Sequence, residues 1–101
     1  MKMFKKDGFT AVLVSPGFGA GFSTWGKTEM AVDFDLIEAF IKEDRERFMY
    51  ILEEKYEGLI MSCTMDDLEL EWIIEGTQFM IKEYDGNERI VKVDELNIIT
   101  A

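Results

Sequence analysis

The chain has no histidine, one cysteine and one proline in 101 residues. Without histidine it lacks the commonest general base, the commonest zinc ligand and the usual physiological pH switch. Serine–histidine and cysteine–histidine catalysis within one chain are thereby excluded. A single cysteine, Cys63, rules out an intrachain disulfide and fits a reducing cytosol. Its neighbours Ser62 and Thr64 carry no positive charge to activate it, so an inert thiol is expected. No apolar run reaches the roughly 20 residues that span a bilayer. The start, Met1-Lys2-Met3-Phe4-Lys5-Lys6-Asp7, has charge but no apolar signal core behind it. These absences predict a soluble, cytoplasmic protein with no membrane partner and no cofactor or metal.

Positive charge is also scarce. Eleven Lys and Arg face 21 Asp and Glu, for a net charge of −10. The imbalance is uneven. Residues 1–28 hold four lysines against one acid, and residues 29–101 hold 20 acids against seven bases. Such a field should repel nucleic acid and anionic membrane and attract a basic protein surface. The same acid also serves to keep a chain dissolved.

What is present suits one domain spanning 1–101. Apolar residues make up 48% and aromatics 13%, enough for an unaided core at this length. Phe9 to Ser15 reads as a strand ended by Pro16. Residues 16–32 read as a long loop, which in a compact domain signals a function or an unrecognised element. Asp33 and Asp35 are N-cap candidates ahead of the stripe Leu36, Ile37, Phe40, Ile41. A second stripe, Phe48, Ile51, Leu52, Tyr56, stops at Gly58. Only Asp44 interrupts a shared face, so the spacing predicts two helices, about 34–43 and 46–56. Beyond Gly58, 59–62 reads as a short strand. Leu68, Leu70, Trp72 and Ile74 alternate with Glu69, Glu71 and Ile73 in the period of a half-buried strand, with Trp72 in the core. Residues 79–84 and 89–93 are strands around the hairpin signal Asp85-Gly86-Asn87, and 97–100 is a final short strand. The expected fold is α+β: an antiparallel sheet of four to six strands with two helices packed on one face.

Two groups of residues are candidate sites. The first is the glycine loop, with Ser15, Gly17, Phe18, Gly19, Gly21 and Phe22, followed by Trp25 and Lys27. Successive N–H groups in such a loop can cradle an anion, Lys27 can add charge, and Phe18, Phe22 and Trp25 can stack on a base. The spacing is neither a Walker loop nor a dinucleotide fingerprint. The competing reading is a loop folded over the sheet, with its phenylalanines capping the core. Ser15 has no base to make it a nucleophile. The second group is acidic: Glu69 and Glu71 opposite Leu68, Leu70 and Trp72, and Glu83, Asp85 and Glu88 around the hairpin turn. These acids form a partner-binding face or a solvated one. Glu83 and Glu88 can alternatively bracket the turn, accepting backbone N–H bonds or pairing with Lys82 or Arg89.

Three motifs carry a resemblance: Val12-Leu13-Val14-Ser15-Pro16-Gly17-Phe18-Gly19-Ala20-Gly21-Phe22, Asp67-Leu68-Glu69-Leu70-Glu71-Trp72, and Glu75 through Glu88. The chain resembles small proteins encoded by tailed bacteriophages and prophages. The resemblance spans almost the whole chain. It implies helices split near residue 44 and a phage accessory protein acting in the bacterial host, and it brings no established activity. The expected function is non-catalytic binding of a host protein through the acidic surface, as an inhibitor or anti-defence factor. The alternative is a receptor that sequesters a nucleotide-like molecule at the glycine loop. An enzyme ranks third, and a homodimer is left open.

Overall fold

The computed structural model describes residues 2–57 and 65–93. The central element is β2 (Phe9–Val14), antiparallel to the two-residue β1 (Lys5–Lys6) on one side and to β3 (Glu69–Ile74) on the other. Thr10 to Val14 are all buried, so both faces of β2 are covered, which accounts for the unbroken apolar run Ala11–Val14. The turn between β1 and β2 is Asp7-Gly8, with φ 52° and 83°. It is the same two-residue Asp-Gly device as the later hairpin, and it adds a strand the apolar pattern does not signal.

On one face of this sheet lie α1 (Phe34–Ile41) and α2 (Arg45–Tyr56), close to the expected bounds. Asp33 caps α1 by accepting from the Asp35 and Leu36 N–H groups at 2.9 and 3.1 Å. Asp44, the polar break in the shared stripe, caps α2 by accepting from Arg47 N–H. Glu43 takes φ 56° to make the corner. Leu36, Ile37, Phe48 and Leu52 pack with Ala11 and Leu13 in the larger core. At roughly 1.5–3 kcal/mol per buried large side chain, this face carries much of the stability.

The other face differs from the single sheet expected. β4 (Phe79–Tyr84) and β5 (Asn87–Lys92) form a separate two-stranded antiparallel sheet. Its Phe79, Ile81 and Ile90 pack on a second core of Val12, Val14, Ala31, Val32 and Ile73. Ile73, in phase with Glu69 and Glu71, is therefore buried. Part of the long loop 16–32 is an element in its own right, a 3₁₀ helix Thr28–Val32 with Met30, Ala31 and Val32 buried. The fold is α+β, with helices and hairpin on opposite faces of the central sheet. Trp72 departs from its expected core position. At 40% exposure it lies at the helix-side margin, edge-on to Phe4. The strands read at 59–62 and 97–100, the stop at Gly58 and the thiol of Cys63 lie outside the described residues. No helix among those described is long and apolar enough to cross a membrane.

Candidate functional site

The hairpin tip between β4 and β5 folds back onto the glycine loop. Asp85 and Gly86 take φ 49° and 84°, the conformation the Asp-Gly turn requires. Gly86 is buried against Ala20, and a Cβ there would lie 2.8 and 2.9 Å from the Ala20 C and Cα. Gly19 N–H donates to the Asp85 carbonyl at 2.7 Å. The Asn87 side-chain amide donates to the Pro16 carbonyl. Glu88 N–H donates to the Ser15 carbonyl at 2.7 Å.

Glu88 closes the junction. It is 2% exposed. Its Oε1 accepts from Ser15 N–H at 2.9 Å. Its Oε2 accepts from Phe22 N–H at 2.7 Å, from Thr24 N–H at 3.0 Å and from the Thr24 hydroxyl. Among the described residues no lysine or arginine forms an ion pair with it. A buried carboxylate is tolerated when donors replace its water, and four converge here. The glycine loop does cradle an anion, but one supplied by its own chain. Ser15 spends its hydroxyl in the same structure, donating to the Ala20 carbonyl at 2.7 Å.

Several expectations change accordingly. Glu88 does not belong to the exposed acidic face. The bracketing role fits it better, as it fits Glu83, whose Oε2 accepts from Gly86 N–H at 3.3 Å. Phe22 is 1% exposed and stacks near Phe48, with centroids 6.3 Å apart, so it belongs to the core. Trp25 is 47% exposed, and its ring lies over Gly21, where a Cβ would come within 2.6 Å of it. Phe18 stands 71% exposed at the loop tip, and Gly17, Gly19 and Lys27 are exposed too. The basic character of residues 1–28 is not concentrated at the loop. Lys5 pairs with Glu75 at 2.8 Å, and Lys2 lies over the Phe34 ring.

The loop instead faces acid. Residues 15–20 form one wall of an open cleft of about 530 Å³ whose other wall includes Asp66, Asp67 and Glu69. Arg45 bonds to Asp66 and holds that carboxyl below its usual range. Glu83, Asp85 and Tyr84 are exposed at the hairpin tip, Tyr84 at 77%. Glu71 is half-buried, opposite Val12 in the register. Members of the two candidate groups thus meet at one junction, Ser15, Gly19 and Phe22 with Asp85 and Glu88, with Glu71 to one side. Thr24, Asn87 and Tyr84 are the members the sequence did not single out. Asn87 sat inside a recognised turn motif, whereas nothing local marks Thr24 or the exposure of Tyr84. No group of three or more metal-ligating side chains occurs among the described residues. Comparison of the chain with protein families, curated proteins and solved structures finds no match.

Proposed function

We propose that the protein is a non-catalytic binding protein that docks on a basic surface of a partner protein through the joined tips. The observation that carries this reading is the Glu88 junction. It fixes two loops as one unit, and that unit bears exposed Phe18 and Tyr84 together with Glu83 and Asp85, beside the cleft wall of Asp66, Asp67 and Glu69. Aromatic anchors held in place before binding lose little entropy on docking. Surrounding acid speeds encounter with a basic partner and selects against acidic ones. By its resemblance to phage proteins, the partner is a factor of the bacterial host, and the consequence is interference with that factor in the host cytoplasm.

A nucleotide-like ligand at the loop is the second reading, favoured by the open cleft. The donor inventory weighs against it, because Glu88 and Asp85 already take the N–H groups of Ser15, Gly19, Phe22 and Thr24, and the facing wall is acidic. Capture of partners from bacterial lysate on the immobilised protein, at low and high salt, tests the main reading. Retention should fall with salt and be lost in a Phe18→Ala/Tyr84→Ala double variant of unchanged melting temperature. Retention indifferent to both would overturn it.

A further inference from the structure

The outer edge of β3 has no strand beside it among the described residues. Ala11 N–H donates to the Phe4 carbonyl at 2.9 Å, so Ala11 turns its backbone groups towards the β1 side. Bonding alternates along an antiparallel pair. Thr10, Val12 and Val14 therefore bond to their register partners Ile73, Glu71 and Glu69. Leu70, Trp72 and Ile74 are left with their N–H and C=O groups aimed outwards. Among the described residues, the one bond these groups make is from Thr77 N–H to the Ile74 carbonyl, at 3.0 Å. A free edge of this kind is a template for another strand.

The same three residues carry apolar side chains. Opposite Leu13, Ala11 and Phe9 in the register, they lie on the helix side of the sheet. Trp72 is 40% exposed and Ile74 60%. Natural edge strands guard against pairing with charge, but here Glu69 and Glu71 point to the other face, in phase with Ile73. Beside Leu70 lies an open hollow of about 550 Å³. Phe40, Ile41 and Met65 line it with Leu70, together with Glu43 and the Arg45–Asp66 pair. Ile41 is 44% exposed.

We infer that β3 pairs antiparallel with β3 of a second copy of this chain, about a twofold axis at Trp72. The edge is its own complement. In this register Trp72 faces the partner's Trp72, Leu70 faces the partner's Ile74, and Ile74 faces the partner's Leu70. Each exposed Ile74 then enters the hollow beside the other copy's Leu70, a contact the symmetry makes twice. Glu71 faces the partner's Ile73. Like charges meet at the ends of the ladder, Glu69 with the partner's Glu75, where Lys5 at 2.8 Å from Glu75 offsets them. An axis at Ile73 would instead set Glu71 against the partner's Glu75 and Leu70 against the partner's Gly76. The net charge of −10 on each copy opposes association at long range, so salt strengthens this dimer. Phe18 and Tyr84 take no part in it, and it is independent of the docking surface proposed above.

Sedimentation velocity of the intact protein over a concentration series tests this. The native chain should form a dimer that tightens with added salt, the opposite of the salt dependence expected at the tips. Ile74→Lys, at an exposed position, should weaken the dimer at least about a hundredfold, because the dimer buries this side chain twice. Circular dichroism should show the variant folded. The register has its own test in a Cys63→Ser background. Oxidation should link Trp72→Cys into covalent dimers, since the two Cα atoms lie about 5.5 Å apart across the axis. Glu69→Cys, roughly 20 Å from its copy, should stay unlinked. A native chain that remains monomeric at millimolar concentration, a dimer that Ile74→Lys leaves intact, or linking of Glu69→Cys as readily as Trp72→Cys would each overturn the proposal.

Discussion

Asp33 and Glu88 are both 2% exposed, and both hold an irregular segment in place, but they are stabilised differently. Asp33 acts locally. It caps the helix that follows it, accepts from the Tyr56 hydroxyl at 2.6 Å, and pairs with Lys55 at 3.2 Å. Burial works to raise its pKa, but the bonds from Tyr56, Leu36 N–H and Lys55 prevail and hold it below the usual carboxylate range. Glu88 acts at long range. Among the described residues it pairs with no cation and relies on backbone N–H groups and one hydroxyl, 64 to 73 residues away in sequence. The first carboxylate starts a helix. The second joins two loops that neighbouring residues could not bring together. A site made the second way leans on one side chain, beside the bonds from Gly19 to Asp85, Asn87 to Pro16 and Glu88 N–H to Ser15.

That dependence sets the largest expected effect. Glu88→Ala would leave the N–H groups of Ser15 and Phe22 buried without a partner and release that of Thr24, and should cost about 3–5 kcal/mol in urea unfolding. A loss below about 1 kcal/mol would mean that water or another group replaces the carboxylate readily. Gly86→Val comes next, at roughly 1–3 kcal/mol, because a branched side chain is strained at positive φ and meets the Ala20 backbone. Asp33→Ala should cost about 1–2 kcal/mol through the lost cap, within reach of the same unfolding measurement.

Acid separates Asp33 from an ordinary carboxylate. A group whose pKa is lowered by folding contributes stability above its unfolded value, here 3.8, and loses it as pH falls through the folded value. Native stability should therefore drop below about pH 4 more steeply than that of Asp33→Asn, as followed by circular dichroism. Tyr56 has the opposite sign. Burial first, and then the bond to Asp33, raise its pKa above 10.0. Its contribution is complete below pH 10 and declines as pH rises through the raised value, a decline absent from Tyr56→Phe. Smallest of all, Phe18→Ala and Tyr84→Ala should change stability by no more than about 0.5 kcal/mol, since both rings face solvent. A large loss in either would make that ring a packing residue rather than a docking one.

The sequence made the local features legible. The helical stripes, the Asp33 cap, the break at Asp44 and the Asp85-Gly86 turn all follow from residues within a turn of one another, and the structure agrees with each. Trp72 and Ile73 were misplaced because alternation predicts one covered face, whereas the hairpin covers the second face and burial at the helix-side margin is incomplete. The 3₁₀ helix at Thr28–Val32 went unread because three buried residues in a row have neither strand nor α-helical period. At the candidate site, the glycines and the hairpin acids stood out separately. Their meeting did not, because no local pattern reports that Gly86 seats against Ala20 or that Glu88 turns inward.

The most direct test of the joined tip is amide hydrogen exchange, resolved by residue, in the native protein and in Glu88→Ala. The account predicts slow exchange at Ser15, Gly19, Phe22 and Thr24 in the native chain. In the variant these four amides should exchange faster, while those of α1 stay protected. Fast exchange at the four in the native protein, or protection that survives loss of the carboxylate, would contradict a tip held together by Glu88.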